Sequence, residues 1–470
     1  MFNKFMYIYF ISITMKKYSK EGLGLMKVYG VKRTPISKIH DYGKTTEDGI
    51  IIVVKDDKDS SVWLPSAFTH LIRHLHNDAS INTKRKTAYS LCNFLNHINY
   101  HANLETDPLF KDLKMGGLEK LNFHHLEHYL NHISTKQRVV KNKFTLKEDV
   151  KLLDFQTVKK TENTLLLFYE FLYKLNITGP DTEIQRVTKE TKNGTISTLI
   201  SPFDHDPNYF IDYPPTDKKN SNVLKDMDED VWNLFLDYAF KYHKNIALGV
   251  AFQMMGGLRL GEVVNLTHDA VEVFEDENYM SLSIDDRQKQ LFLYRGINTE
   301  YSQVKKTREN QPVFNFNGKL FEYWKSHMEF LKKRKSSDNH NALFINSYGD
   351  PMTGEVYQKE FAKLKFNFLK EFLEKEYPSL FTELASKTWG THIGRHVFTN
   401  HLIKKGYVNN PHTGEVDTKL LMILRGDSSE KSSATYIDVQ TVTQTVASAI
   451  DIVSVIASQT KSRYKLKEAS

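Results

Sequence analysis

The sequence predicts a mainly α-helical protein with a small β-sheet or hairpin. Apolar residues recur with helical spacing from about residue 66, and again after residue 226. Short β-like runs are concentrated in 26–65 and 271–316. A chain of 470 residues is too long for one ordinary core, so two or three domains are expected.

Composition limits the classes of function. The net charge of +7 is compatible with nucleic acid but does not require it. The single cysteine, Cys92, excludes an intrachain disulfide framework and a Cys-rich zinc site, and fits a reducing compartment. The chain has no run of 18 apolar residues, so no membrane span is expected.

The first residues resemble a leader only in part. The run 5–14 is apolar like the centre of a signal peptide, but it lacks a small-x-small cleavage site. We expect an upstream extension instead, with Met15 or Met26 as the true start. The expected location is the bacterial cytoplasm, in association with the nucleoid.

The N-terminal part divides into an extension and a helical region. Residues 1–65 are predicted to form an extension or a small β arm unit, with β-like runs at 27–31 and 50–54. Residues 66–178 are predicted to form a helical domain. The residues that establish its helical faces are Ala88, Leu91, Leu95 and Ile98, followed by Leu165, Phe168 and Leu172.

Three basic residues, Lys84, Arg85 and Lys86, lie in the first turn of the first long helix, after capping residues at 80–83. A polar insertion at 134–154 separates the later helices, at 118–133 and 157–175. Such a concentration of positive charge suits contact with a polyanion such as nucleic acid.

Residues 179–225 contain several Gly, Pro and Asn-Gly turn signals, and are predicted to be a linker with one β excursion at 196–200. Residues 226–470 then form a second, mostly helical domain. It begins at Asp228, Glu229 and Asp230, whose negative charge suits a helix N-terminus.

The first chemically informative string is 255–266, MGGLRLGEVVNL. Its glycines permit a tight turn beside Arg259, which could present a planar fork of donors to a phosphate. The alternative is a surface arginine paired with Glu262, three residues later.

The second string, 303–308, lies between β-like runs at 280–284 and 291–293 and a further run at 311–316. A lysine at such a hairpin tip, Lys306 or Lys305, could protonate a leaving oxygen. The alternative is a solvated, charged turn.

The third string, 389–402, contains His392 and Arg395, which share a face if the segment is helical. Both could donate to the same phosphate oxygens. Two alternatives are an exposed helix start and a zinc site, but His392, His396 and His401 lack the carboxylate of an H-E-x-x-H motif. We therefore expect no metal and no other cofactor.

The fourth string, 421–439, contains Tyr436 after a run of small and polar residues that begins at Gly426 and Asp427. A phenol there could form a phosphotyrosine ester, which stores the energy of the broken bond. Packing on a helix end is the alternative. Together, the four strings supply two guanidiniums, an imidazole, an ammonium and a phenol. With these groups, the phenol could attack a phosphodiester without a metal.

The order and spacing of these strings resemble the tyrosine recombinase, or phage integrase, family over roughly 225–440, and more weakly over 66–176. The resemblance implies a helical core-binding domain joined to a mixed, mostly helical catalytic domain. It also implies that Arg259, Lys306, His392 and Arg395 assist Tyr436, the nucleophile, in cleaving and rejoining DNA.

Two departures from the family pattern stand out. Asp427 occupies a position where most relatives carry His or Trp, which donates to the phosphate, and a carboxylate there would repel it. Residues 407–418 form an insertion that could tune partner contacts. Neither departure removes an indispensable group.

The implied partners are duplex DNA, three further copies of the chain in a tetrameric synapse, and host-encoded or element-encoded accessory proteins. A tail helix at 441–456 could dock on a neighbouring copy or on its own domain. Integration or excision of a mobile element is the favoured role. The alternatives are a nicking enzyme like type IB topoisomerases, a catalytically lapsed DNA-binding protein and a purely structural helical protein.

Overall fold

The computed structural model describes residues 28–40, 43–55, 61–77, 79–104, 107–141, 144, 148–191, 194–216, 223–292, 299–334, 340–410 and 412–426. The chain forms two compact units, Met1–Asn220 (the N-terminal unit) and Ser221–Ser470 (the C-terminal unit). The run 5–14, the tail 441–456, Asp427 and Tyr436 lie outside the described residues.

The N-terminal unit begins with a three-stranded antiparallel sheet of β1 (Tyr29–His40), β2 (Gly43–Lys55) and β3 (Trp63–Pro65), with β2 in the middle. The predicted β-like runs fall in β1 and β2. Ile50 and Ile52 of β2 are buried in the same core as the helices that follow. The sheet is therefore part of the core of the N-terminal unit.

The helices of this unit are α1 (Thr69–His76), α2 (Ile81–Leu104), α3 (Pro108–Gly116), α4 (Phe123–Thr135) and α5 (Phe155–Lys174). All seven apolar residues that the sequence assigned to helix faces are buried. The Asp154 side chain caps α5 by accepting a hydrogen bond from the backbone N–H of Thr157 at 2.9 Å. The polar insertion before α5 forms a hairpin of β4 (Arg138–Lys141) and β5 (Glu148–Lys151).

The segment that the sequence assigns to a linker is largely structured. It contains a 3-10 turn (Pro180–Thr182), a hairpin of β6 (Arg186–Thr191) and β7 (Gly194–Leu199), and the short α6 (Pro202–His205). Ile211 is buried in the core of the N-terminal unit, and partly buried apolar residues nearby pack against it. The domain boundaries themselves stay a prediction.

The C-terminal unit contains a small antiparallel sheet with β9 (Tyr279–Ile284) between β8 (Val271–Phe274) and β10 (Arg308–Phe314). The sequence was wrong about Leu291 and Phe292, which lie in a short helix and not in a strand; Leu293 lies outside the described residues. The helices are α7 (Glu229–Tyr242), α8 (Lys244–Gly256), α9 (Leu260–Val264), α10 (Gln288–Phe292), α11 (Leu320–Lys333), α12 (Gly354–Asn367), α13 (Glu374–Glu376), α14 (Pro378–Ser386), α15 (Ile393–Lys404) and α16 (Thr418–Arg425). A π-helical turn, Phe368–Leu373, separates α12 from α13.

Helix α8 lies at the centre of the C-terminal unit. Every residue from Ile246 to Gly256 is buried, so the helix is surrounded by protein on all sides. Helices α15, α11 and α7 pack on it, as does strand β10. The C-terminal end of α8 is therefore a point at which several distant segments meet.

The segment 407–418, which the sequence predicts to be an insertion, closes on itself. Asn409 and Val416 form an antiparallel bridge, and the backbone N–H of Asp417 donates to the Val408 carbonyl at 2.7 Å. The Asp417 side chain then caps α16. The insertion thus positions the start of α16.

The mainly helical fold with small antiparallel sheets is confirmed. Within the described ranges, none of the helices combines the length and the apolar character needed to cross a membrane.

Candidate active site

The turn after α8 is shaped by Gly257. Its backbone is left-handed, with φ of +66°, and its N–H closes the helix by donating to the Phe252 carbonyl. A Cβ at this position would lie 2.6 Å from the ring of Phe398 on α15. Glycine therefore satisfies both the backbone conformation and the close packing of α15. The chain leaves the turn extended and reaches Arg259.

Arg259 is the residue before α9, as the sequence predicts, and it is tied to Glu262. The Glu262 carboxylate accepts from the Arg259 backbone N–H at 2.8 Å and from its guanidinium at 3.1 Å. The ion pair between Arg259 and Glu262, which was the alternative interpretation of the sequence, therefore exists. It is not a surface pair, because the Glu262 side chain is only 1% exposed.

A second arginine, Arg308, binds the same carboxylate. Its two terminal nitrogens donate to the two oxygens of Glu262 at 2.9 and 3.1 Å, in a bidentate arrangement. Burial by itself would raise the pKa of Glu262. The hydrogen bonds and charge of Arg308, joined by those of Arg259, hold the pKa below its usual value. We call Arg259, Arg308 and Arg395 the arginine cluster.

Arg395 enters the site from α15 and is only 2% exposed. Its Nη1 donates to the Gly257 carbonyl at 2.6 Å, across 138 positions of sequence. The neighbouring Gly394 permits this approach, because a Cβ there would lie 2.6 Å from Gln253 of α8. The turn that positions Arg259 therefore also positions Arg395.

His392 precedes α15 and shares this electrostatic environment. Its pKa is lowered, first by burial and then by the charges of His396, Arg395, Arg259 and Arg425. Residues just before α9, in α15 and in α16 therefore act on one imidazole. His401, the third histidine of the string, packs against Phe316 and Trp232 instead.

Gln311 joins the ends of α8 and α16, a role with no signal in the sequence. Its side-chain amide donates to the Gly256 carbonyl at 3.0 Å and to the Leu424 carbonyl at 2.7 Å. Gly426 then ends α16 with φ of +61°, and a Cβ there would lie 2.2 Å from Arg308. The described chain therefore ends beside the arginine cluster, ten residues before Tyr436.

Lys306 is exposed and lies two residues before β10. The prediction of a hairpin tip was wrong, because a long connection that includes α10 joins β9 to β10. This connection is anchored to α9. The Asn265 amide donates to the Ser302 carbonyl at 2.6 Å, and a Cβ on Gly261 would lie 2.2 Å from the Gln303 carbonyl. The neighbouring Lys305 is exposed as well.

Arg308 could have been noticed in the sequence, since it ends the basic string that contains Lys306. Its function as the second partner of Glu262 depends on a contact across 46 positions. Arg425 is also visible in the 421–439 string, but its effect on His392 depends on how α16 and α15 are packed.

The basic turn of the N-terminal unit lies where the sequence places it, at the start of α2. Lys84 donates to the Asn77 carbonyl at 2.8 Å, the Arg85 guanidinium lies 5.6 Å from the Tyr89 ring, and Lys86 is exposed. DNA binding by these residues stays a prediction.

No protein-family model matches the chain, and no curated protein matches it. Several solved structures are similar. The Tn1549 transposon integrase with transposon right end DNA is 14% identical (TM-score 0.44), over 80% of this chain and 93% of that chain. The XerH site-specific recombinase on a palindromic difH substrate is 14% identical (TM-score 0.40), over 83% of each chain. A lambda integrase dimer bound to a COC′ core site is 9% identical (TM-score 0.35), over 87% of this chain and 95% of that chain.

These similar proteins are two integrases and one site-specific recombinase.

Proposed function

We propose that the chain is a tyrosine recombinase, which cleaves and rejoins duplex DNA through a 3′-phosphotyrosyl intermediate. The observation that carries the proposal is the convergence of Arg259, His392 and Arg395 at the end of α8. The Arg395 side chain bonds to the turn that presents Arg259, and both arginines act on His392. The order of these residues in the sequence, followed by Tyr436, supports the same assignment.

The arrangement suits a phosphate. Arg259 and Arg395 are held by Glu262 and the Gly257 carbonyl before any ligand binds, so little side-chain entropy remains to be lost. Negative charge among them would oppose the cations that lower the pKa of His392. Phosphate binding is therefore expected to raise that pKa and to strengthen His392 as a donor.

In the proposed cleavage step, the Tyr436 oxygen attacks the scissile phosphorus, forms a new P–O bond and releases its phenol proton to solvent. The bond from phosphorus to the 5′-oxygen breaks, its electron pair stays on that oxygen, and Lys306 supplies the proton. Arg259, His392 and Arg395 stabilise the charge that develops on the phosphate oxygens. The products are a 3′-phosphotyrosyl ester and a free 5′-hydroxyl.

Rejoining reverses this step with the 5′-hydroxyl of a partner strand. The phosphotyrosyl ester keeps the energy of the broken bond, so strand exchange requires neither ATP nor a divalent metal. Exchange of four strands at two sites requires four protomers on the DNA. We propose integration or excision of a mobile element as the role, with accessory proteins as further partners.

Covalent capture tests the proposal directly. The full chain is incubated in EDTA with labelled duplexes from both flanks of its own gene, each nicked so that the cleaved strand is lost. A denaturing gel then compares the wild type with Tyr436→Phe. We expect a DNA–protein band with the wild type and none with the variant, because phenylalanine lacks the nucleophilic oxygen.

Tyr348→Phe is the matched control, since Tyr348 is 82% exposed and outside the site. It is expected to give the wild-type band. A band that persists in Tyr436→Phe would assign the nucleophile to another residue. Binding without a band in any variant would support a lapsed enzyme, and Asp427→His would then test whether the carboxylate is responsible.

A further inference from the structure

A group of histidines lies in the N-terminal unit, outside the proposed active site. His97 and His101 are one turn apart on α2, and His128 and His132 are one turn apart on α4. Residues four positions apart on a helix lie on the same face. Each helix therefore presents two imidazoles to the other.

Three of these histidines are close enough to share one ligand. One ring nitrogen from each of His97, His101 and His128 lies within 4.8 Å of the other two. The His97 Nε2 and His128 Nδ1 atoms are only 2.9 Å apart and share a hydrogen bond. The His132 ring lies 4.9 Å from that of His97. We call His97, His101 and His128 the histidine cluster.

Aromatic side chains hold these rings in place. Phe110 of α3 stacks on His101 at 5.0 Å and meets the edge of His128 at the same distance. Tyr129 meets the edge of His97 at 5.1 Å. The three ligand residues are partly exposed, so an ion could enter from solvent. The cluster is thus packed against aromatic rings on one side and accessible to solvent on another.

Simple packing is the alternative explanation, and it accounts less well for the arrangement. Apolar side chains would make a simple helix contact at a lower free-energy cost, since ring nitrogens that lose water need other partners. The hydrogen bond between His97 and His128 uses one nitrogen of each ring. A metal ion would bind the nitrogens that converge, by replacing the shared proton.

We infer that His97, His101 and His128 bind a divalent transition-metal ion of the class that prefers imidazole, such as Zn²⁺, and that the ion clamps α2 to α4. Imidazole is the commonest protein ligand of such ions. Zinc–nitrogen bonds of about 2.0–2.1 Å place tetrahedral ligand atoms roughly 3.3 Å apart. The His97 and His128 nitrogens, at 2.9 Å, need to open slightly, whereas a pair near the 4.8 Å limit needs to close by about 1.5 Å. His132 or water completes the coordination.

The full chain is stripped with EDTA, dialysed and titrated with Zn²⁺ by isothermal calorimetry. We expect one Zn²⁺ per chain and a rise in melting temperature with Zn²⁺ concentration, because the ion binds the folded state. His101→Gln and His128→Gln are expected to weaken the affinity by at least the ~10–100-fold that loss of an outer-shell partner costs. The visible spectrum with Co²⁺ should show a tetrahedral, nitrogen-ligated ion.

His124→Gln is the matched control, because His124 is exposed on α4, one turn before His128, and outside the cluster. It is expected to keep the wild-type affinity. Circular dichroism without metal checks that each variant is folded. If a variant does not fold, the Co²⁺ spectrum of the wild type still tests the inference. A wild-type affinity no higher than that of the His101→Gln, His128→Gln double variant would overturn the inference, as would an octahedral Co²⁺ spectrum. The outcome does not depend on DNA cleavage.

Discussion

The N-terminal and C-terminal units each gather basic side chains from separate segments of the chain, but in different charge states. In the N-terminal unit, burial and then three neighbouring imidazoles lower the pKa of His97 to about 3, so the ring is neutral. In the C-terminal unit, the guanidiniums remain charged, and Glu262 neutralises part of that charge. Like groups can therefore be packed together if they lose their charge or if they receive a buried counter-ion.

The two solutions suit different ligands. Neutral imidazoles keep lone pairs and can bind a metal ion. Arginines have no lone pair to offer, but they present fixed donors to an anion. The comparison thus separates a cation-binding candidate in one unit from an anion-binding candidate in the other.

Removing the counter-ion is expected to have the largest effect. Glu262→Gln leaves Arg308 and Arg259 beside a neutral group, and breaking a buried pair costs about 3–5 kcal/mol. Glu170→Gln is the matched variant in the N-terminal unit, because Glu170 also accepts from two cations, Arg186 and Lys174.

The partners of Glu170 are 36% and 61% exposed, so that variant should lose about 1 kcal/mol or less. Urea denaturation measures both free energies of unfolding. Equal losses would show that Glu262 is no more than an ordinary ion pair.

Arg259→Ala is expected to lower the rate of covalent capture by about 10²–10³-fold, the usual cost of one donor to a developing charge. Duplex binding should stay within a few fold, because many phosphate contacts share the affinity. Capture rates and gel-shift titrations measure the two quantities. Arg334→Ala, at the exposed end of α11, is the control. Loss of binding and folding together would identify a structural arginine.

Gly261→Ala is expected to displace the connection between β9 and β10, which contains Lys306. The added Cβ would lie 2.2 Å from the Gln303 carbonyl, so the connection must move. Overpacking of this kind costs about 1–3 kcal/mol. Gly390→Ala is the control, because its Cβ would meet nothing within 4 Å. Thermal denaturation compares the two, and equal melting temperatures would contradict the close approach.

Acid should weaken both carboxylate sites, with the smallest effect near neutral pH. The pKa of Glu170 is lowered to about 2, chiefly by its hydrogen bond from Arg186, and the pKa of Glu262 is also lowered. A depressed folded-state pKa stabilises the protein above the unfolded value and ceases to do so as pH falls through the folded value. For Glu170, stability should fall between pH 4.5 and about 2. Urea denaturation across that range should give a shallower slope for Glu170→Gln, and an unchanged slope would refute the assignment.

Much of the fold could be predicted from local pattern. The apolar faces of α2 and α5 follow from 3.6-residue spacing, and β1 and β2 follow from short β-like runs. The error at Leu291 and Phe292 shows the limit of this reasoning, since a short apolar run fits a strand or a helix equally well. The turn signals predicted a linker with one β excursion at 196–200, and β7 (Gly194–Leu199) lies there, but the packing of Ile211 on the core of the N-terminal unit depends on contacts with distant residues.

The candidate site was predicted residue by residue, but not its internal contacts. Arg259, His392 and Arg395 stand out because of their strings, whereas Gln311 belongs to an unremarkable strand. Its two hydrogen bonds, to Gly256 and Leu424, link segments 55 and 113 positions away. The histidine cluster was missed for the same reason, because His128 lies on a different helix from His97 and His101.

The sequence by itself determined which chemical groups this protein has and which short segments carry them. Helical periodicity and the Gly256-Gly257 turn are local, so residues a few positions apart decide them. Only the tertiary structure decided which groups meet: that Glu262 is shared by two arginines, that Arg395 bonds to Gly257, and that two histidine pairs face each other. These contacts depend on packing between distant segments, and one chain's local pattern does not encode the partner of each residue.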